Sequence, residues 1–199
     1  RSILWDLNYF KYCFLKATGI DFREDLLEDD FDALCQTLMG SMETQPVFMY
    51  RDFQSRNIMV KDGEPFLIDF QGGRKGPIYY DVASFLWQAK ANYPDSLRQE
   101  LIDEYLDALR PYKPIEKTEF LSRLRHVVLF RTLQVLGAYG FRGYVEHKPH
   151  FLQSIPGAIR NLTEILDPGF LELPYLNHLL KEMSSMERFN NQQEKTGRL

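Results

Sequence analysis

Apolar residues recur at helical spacing along most of this chain of 199 residues, and the pattern changes between Val47 and Phe70. Recurrence every three to four residues is typical of helices that bury one face. It predicts helices over about 2–18, 31–42, 81–91, 94–110, 116–139, 150–166 and 175–186. Pro156-Gly157 is predicted to kink the helix at 150–166 or to divide it in two. The chain is therefore expected to be mainly helical.

The interruption has the pattern of short strands. Val47–Tyr50 and Asn57–Val60 predict buried strands, and Pro65–Phe70 predicts a returning strand. Asp62-Gly63 separates the last two, and this dipeptide is a strong hairpin signal. The glycine-rich segment 72–77 predicts an irregular loop. The expected fold class is mainly α with a small β-hairpin insertion, which the helices must hold because so short a hairpin is marginal alone.

Composition and charge exclude several function classes. The formal net charge is −4 and no basic stripe is present, so no nucleic-acid partner is expected. No apolar run approaches the roughly 20 residues of a membrane span, so no membrane partner is expected. The N-terminal residues have helical spacing rather than the pattern of a signal peptide, and the cytoplasm is the expected compartment. Cys13 and Cys35 are interpreted as buried free thiols, with a disulfide or a metal pair as the alternatives.

Two charged segments have both a solvated and a functional interpretation. The acidic segment from Asp21 to Asp30 is interpreted as a surface turn, with a cation site as the alternative. Arg123, Arg125 and Arg131 are interpreted as one solvated helix face, and contact with an anionic substrate is the alternative.

Three polar residues of the β insertion form the candidate site. Asp52 follows the first predicted strand, Asn57 begins the second, and Asp69 lies near the end of the returning strand. Because the hairpin folds back on itself, the three side chains are expected to converge at one end of it. The alternative is that they are ordinary turn residues.

Phosphoryl transfer to an alcohol needs such a set. One carboxylate orients the acceptor hydroxyl and takes its proton, and an amide and a second carboxylate supply the hard oxygen ligands that Mg²⁺ prefers. The enzyme then accelerates transfer by positioning the reactants and by neutralising charge on the nucleotide phosphates. The pattern therefore favours an enzyme that uses ATP and Mg²⁺.

The motifs around these residues resemble those of the aminoglycoside and choline kinase-like phosphotransferases. That family usually has His-Gly-Asp-x4-Asn, then Ile-Asp-Phe or Ile-Asp-Trp, then Gly-x-Pro-x-x-Asp-Leu-Ala. This chain has Tyr50-Arg51-Asp52-x4-Asn57, Ile68-Asp69-Phe70-Gln71 and Gly76-Pro77-Ile78-Tyr79-Tyr80-Asp81-Val82-Ala83. The Arg-Asp-Phe and Asp-Phe-Gln versions look most similar to bacterial kinases of cell-wall amino sugars, which phosphorylate the anomeric hydroxyl of N-acetylmuramate or N-acetylglucosamine.

The resemblance implies a role for each matched position. Asp52 looks like the catalytic base, and Asn57 and Asp69 look like the ligands of the Mg²⁺ that holds the nucleotide. Asp81 resembles a carboxylate that braces the catalytic loop, with a plain helix N-cap as the alternative. Arg51 is suggested to pair with a carboxylate and fix the loop, with a solvated arginine as the alternative. The implied fold is the C-terminal lobe of a protein-kinase-like enzyme over residues 1–186.

Within that lobe, the catalytic loop and metal hairpin are expected at 47–81 and a helical subdomain at 82–186, followed by a polar tail or linker at 187–199. Three residues depart from the family pattern: Tyr50 replaces the usual His, Arg51 replaces Gly, and Gln71 replaces Gly or Glu. No glycine-rich loop or strand lysine precedes Arg1, so the N-terminal nucleotide-binding lobe is expected to be absent from this sequence and the lobe alone to be weak or inactive. A further C-terminal domain is a possible partner.

Three functions compete at this point. The first is an ATP- and Mg²⁺-dependent phosphotransferase acting on a hydroxyl of a small molecule, with an amino sugar or sugar ranked above choline-like or aminoglycoside acceptors. The second is a non-catalytic kinase-like scaffold that regulates an attached domain. The third, a protein-kinase lobe, is the weakest because no Ala-Pro-Glu motif follows Asp69.

Overall fold

A computed structural model describes residues 2–40 and 46–190 of the protein. The protein is mainly helical and has small antiparallel sheets. This confirms the expected mainly α class with a small β insertion. The helices are α1 (Ser2–Phe10), α2 (Glu24–Gly40), α3 (Tyr80–Leu86), α4 (Asp95–Leu109), α5 (Lys117–Gly140), α6 (Pro149–Leu152), α7 (Ile155–Ile165), α8 (Pro174–Ser185) and α9 (Glu187–Asn190). The helix predicted at 150–166 is divided in two, and π-helical turns at Lys11–Lys16 and Phe141–Val145 extend α1 and α5. None of the helices in the described part of the chain is long and apolar enough to cross a membrane.

The β insertion consists of two strand pairs rather than one hairpin. Strands β2 (Ile58–Lys61) and β3 (Glu64–Leu67) form the predicted hairpin. Strand β1 (Val47–Met49) pairs antiparallel with β4 (Arg74–Gly76), in the segment that the sequence predicted to be an irregular loop. The prediction was wrong because β4 has no apolar alternation. Its last residue must be small, since a Cβ on Gly76 would lie 2.7 Å from the sulfur of Met49.

The acidic segment after Asp21 is largely helical, which corrects its interpretation as a surface turn. Helix α2 begins at Glu24, and acidic side chains in a first turn are favoured by the helix dipole. Glu24 and Glu28 contact the ammonium of Lys11, which is 1% exposed, at 3.0 Å and 2.8 Å. Burial alone lowers the pKa of Lys11, but the hydrogen bonds to Glu28 and Glu24 outweigh it and raise that pKa well above its usual value. The acidic run therefore neutralises a buried lysine.

Contacts along the chain group it into two compact units, each with its own core. One unit combines residues up to Cys35 with those from Thr132 onward, and the other is Gln36–Arg131. In the second unit Tyr79, Phe120 and Ile102 are fully buried. The whole β insertion belongs to this unit, so the candidate site and its supports lie within one compact body.

The C-terminal tail and the cysteines differ in part from expectation. Residues 187–190, which the sequence assigned to the polar tail, form α9, and Phe189 in it is buried. The rest of that predicted tail lies outside the described residues. Cys13 and Cys35 are free thiols as expected, although they are only half-buried, and partial burial raises the pKa of both.

Candidate active site

The loop that carries Asp52 is fixed at its start by the carboxylate of Asp81. The backbone N–H of Tyr50 donates to Asp81 Oδ2 at 2.6 Å, and the N–H of Arg51 donates to Oδ1 at 2.8 Å. The N-cap of α3 is Tyr79, so Asp81 lies in the first turn and its side chain bonds to the loop rather than capping the helix. Burial raises the pKa of Asp81, while the two N–H donors and the charge of Arg131 oppose that rise. Asp81 thus holds both residues that precede Asp52.

Arg131 contacts Tyr80, which precedes Asp81 on helix α3. Its guanidinium donates to the hydroxyl of Tyr80 at 2.8 Å and lies 4.8 Å from the centre of that ring. Arg123 pairs with Glu119 at 2.7 Å on the helix surface. Arg131 on α5 therefore contacts helix α3, which carries Asp81.

Arg51 adopts a left-handed backbone with φ 77°. A side chain disfavours this conformation, and glycine adopts it freely, which accounts for the glycine that the family usually has here. Within residues 2–40 and 46–190, Arg51 bonds through its N–H, and its guanidinium makes no ion pair. The ion pair suggested from the sequence is therefore not found in the described chain, and Arg51 contributes through its backbone.

Replacing Arg51 with Gly is expected to increase the free energy of unfolding by about 1 kcal/mol, because the left-handed backbone costs a side chain roughly that much. Arg51→Ala is the matched control, since it removes the guanidinium but keeps the Cβ that causes the strain. Urea unfolding of both variants measures the difference. Equal stabilities for the two variants would contradict the assignment of strain to this position.

Asn57 immediately precedes β2 and its side chain binds the Asp52 loop. Its side-chain amide N donates to the carbonyl of Asp52 at 2.8 Å, and only 6% of the residue is exposed. Its own carbonyl accepts the N–H of Ile68 at 3.0 Å. Because the amide N faces Asp52, the amide oxygen is left as the free acceptor of this side chain among the described contacts.

Asp69 follows β3 at the same end of the hairpin. The register pairs Ile58 with Leu67, so Asn57 and Ile68 lie next to each other and Asp69 comes one residue later. Asp69 has a left-handed backbone, with φ 69° and ψ 39°, and its exposed carboxylate accepts a hydrogen bond from the side chain of Gln71. The chain then turns back toward Asp52.

The Asp52 carboxylate lies against that turn. A Cβ on Gly72 would lie 3.6 Å from Asp52 Oδ2, so the turn after Asp69 passes directly beside this oxygen. No hydrogen bond from the described residues occupies the Asp52 carboxylate. The structure therefore brings Asp52, Asn57 and the Asp69 turn together at one end of the β2–β3 hairpin.

The donor set fits a hard divalent cation. The Asn57 amide oxygen and the Asp69 carboxylate belong to residues at the same end of the β2–β3 hairpin, and both groups are of the kind that binds Mg²⁺, which uses few protein ligands and takes water and phosphate for the rest. No group of three or more His, Cys, Asp or Glu side chains that could hold a metal is found in the described chain.

Three further residues support the site and were not assigned a role from the sequence. The hydroxyl of Tyr50 donates to the carbonyl of Ile68, and Gln71 donates to Asp69. Gln88 on the segment after α3 accepts from the N–H and the hydroxyl of Ser55, both at 3.0 Å. The first two occupy positions where the chain departs from its family pattern, which was an available signal, whereas nothing in the sequence marks Gln88.

Comparison with known proteins links these elements to one family. The profile of the phosphotransferase enzyme family (APH) matches residues 15–115, which include Asp52, Asn57, Asp69 and Asp81. Similar curated proteins are N-acetylmuramate/N-acetylglucosamine kinases. The one from Neisseria meningitidis serogroup B is 30% identical over 190 residues, covering 92% of this chain and 56% of the relative. Those of Pseudomonas aeruginosa and Pseudomonas putida are 28% and 25% identical, covering 65% and 87% of this chain. The chain spans about half the length of these relatives, from 39% to 56%.

Proposed function

Because the chain belongs to the phosphotransferase enzyme family, we propose that it forms the phosphate-transfer site of an ATP- and Mg²⁺-dependent small-molecule kinase. The observation that carries the proposal is the unoccupied Asp52 carboxylate beside the Asp69 turn, with Asn57 clasping the same loop. In this proposal residues 1–186 have the architecture of a protein-kinase-like C-terminal lobe.

Each side chain has a distinct task in the proposed reaction. Asp52 hydrogen-bonds the acceptor hydroxyl and takes its proton as the acceptor oxygen bonds to the γ-phosphorus of ATP. The bond from that phosphorus to the bridging oxygen breaks, and ADP leaves with the electron pair. Asn57 and Asp69 would hold Mg²⁺, which when bound neutralises charge on the nucleotide phosphates. Asp81 keeps the backbone of the loop in place while these groups act.

The acceptor is proposed to be an amino sugar, with N-acetylglucosamine and N-acetylmuramate ranked first. The support is the pair of substrates for which the related kinases are named, together with the Arg-Asp-Phe and Asp-Phe-Gln motifs. None of the residues assigned above would contact the base of the nucleotide. The 199-residue chain by itself is therefore expected to bind ATP weakly and to turn over slowly.

A phosphorylation assay tests this function directly. The protein, expressed with any residues that its coding sequence adds at either end, is incubated with ATP, Mg²⁺ and each acceptor, and products are identified by ³¹P NMR. We expect a sugar phosphate from N-acetylglucosamine or N-acetylmuramate and none from the 1-O-methyl glycoside, whose anomeric oxygen is blocked. Choline and kanamycin report the lower-ranked acceptors. Failure to phosphorylate any acceptor, with no Mg²⁺-dependent nucleotide binding, would favour the scaffold hypothesis instead.

A further inference from the structure

The side chain of Tyr50 spans the two segments that meet in the candidate site. Its backbone N–H bonds to Asp81, at the start of the Asp52 loop. Its hydroxyl donates to the carbonyl of Ile68, the residue before Asp69. A single buried residue, 7% exposed, therefore joins the loop of the proposed base to the strand end of the proposed metal ligand.

The bond to Ile68 acts on the backbone of Asp69. The carbonyl of Ile68 and the N–H of Asp69 belong to one planar peptide group. A hydrogen bond that fixes this carbonyl therefore fixes the peptide plane from which the φ angle of Asp69 is measured. The N–H of Ile68 is also held, by the carbonyl of Asn57 at 3.0 Å. Asp69 itself has φ 69°, a conformation uncommon outside glycine that persists where surrounding bonds enforce it.

We propose that the Tyr50 hydroxyl is a positioning group that holds Asp69 in its left-handed conformation and so aims its carboxylate at the cation and nucleotide. This inference rests on the proposed function, because it assigns Asp69 the role of metal ligand. It gives a purpose to the tyrosine that stands where the family usually has histidine. Tyr50 itself touches no reacting atom and acts through Asp69.

The surroundings of Tyr50 favour its protonated phenol. Burial raises the pKa of Tyr50 above its usual value, and the carboxylates of Asp69, Asp52 and Asp81 raise it further. The raised pKa favours the protonated hydroxyl, which is the form that donates to the carbonyl of Ile68.

Packing is the competing explanation for Tyr50. Its ring lies 5.8 Å from that of Phe53 in an edge-on arrangement, and a phenylalanine would preserve that contact. Tyr50→Phe therefore removes the hydroxyl and leaves the ring. Tyr105→Phe is the matched control, since the Tyr105 hydroxyl also donates to a backbone carbonyl, that of Ile78 at 2.8 Å, in the same compact unit.

The test compares the two variants in the full-length protein by Mg²⁺ activation curves, kcat and thermal unfolding. Loss of a group that orients a metal ligand costs on the order of 10–100-fold in metal affinity or activity. We expect Tyr50→Phe to raise the half-saturating Mg²⁺ concentration by about tenfold and lower kcat by about tenfold or more, and Tyr105→Phe to change both by less than about twofold. Similar small decreases in melting temperature are expected for both.

A second readout does not depend on turnover. Backbone NMR shifts of Asp69 should move away from left-handed values in Tyr50→Phe and stay unchanged in Tyr105→Phe. Wild-type shifts and Mg²⁺ dependence in Tyr50→Phe would overturn the inference. If that happens while Asp52→Asn is inactive, the inference alone fails. If Asp52→Asn keeps wild-type activity, the proposed function fails instead.

Discussion

Asp52→Asn is expected to lower kcat of sugar phosphorylation by roughly 10²–10⁴-fold, the contribution of a well-placed general base. Asparagine has nearly the same shape as aspartate but cannot take the proton of the acceptor. The bond from the side chain of Asn57 ends on the backbone carbonyl of Asp52, so the substitution leaves that clasp in place. The loss should therefore fall on kcat rather than on folding or on the KM for ATP.

Asp62→Asn is the control for this variant. Asp62 lies in the turn between β2 and β3, is exposed, and has φ 54°, a conformation that asparagine also adopts readily. The Asp62→Asn substitution removes one carboxylate from the same β insertion and should leave kcat unchanged. Steady-state assays with coupled ADP detection measure both variants. An Asp52→Asn enzyme within a few fold of wild type would mean that Asp52 does not act as the base.

Asp69→Asn is expected to lower kcat/KM for Mg²⁺-ATP by about 10²–10³-fold, the loss typical when one preorganised group that stabilises charge in the transition state is removed. Asparagine tolerates the left-handed backbone found at Asp69 nearly as well as aspartate does. The substitution therefore tests the carboxylate charge and leaves the backbone conformation of the turn in place.

The Asp69 variant also makes a binding prediction. Calorimetric titration with Mg²⁺-ATP should show weaker binding for Asp69→Asn, and the difference should shrink when Mg²⁺ is left out, because the lost charge acts through the cation. Asp62→Asn again serves as the control. Equal Mg²⁺ dependence in wild type and Asp69→Asn would contradict the assignment of Asp69 as a metal ligand.

The sequence carried enough information for the general fold and for the placement of Asp52, Asn57 and Asp69 in one small β insertion. Helical periodicity and the Asp62-Gly63 turn predicted helices and a hairpin close to those found. The positions of Asp52, Asn57 and Asp69 at the ends of strands follow from local sequence patterns. These patterns are easy to recognise because each strand is short and is bounded by turn residues.

The remainder depended on contacts between distant residues. Strand β4 has no apolar alternation, and its pairing with β1 is visible only when Gly76 packs on Met49. The helical start at Glu24 was missed because its acidic residues suit both a loop and a first helical turn, and the buried partner Lys11 decides between them. The bond from Tyr50 to Ile68 joins residues 18 positions apart, which spacing alone cannot reveal.

The most direct test of the central claim is to place a paramagnetic cation at the site. The full-length protein, labelled with ¹³C at the carboxyl carbons of aspartate, is titrated with Mn²⁺ and ATP and followed by NMR. We predict that the Asp69 signal broadens first, that the Asp52 signal broadens at slightly higher occupancy, and that the Asp62 signal is spared. Broadening that spares Asp69, or that affects Asp62 as strongly, would contradict a cation site at Asn57 and Asp69.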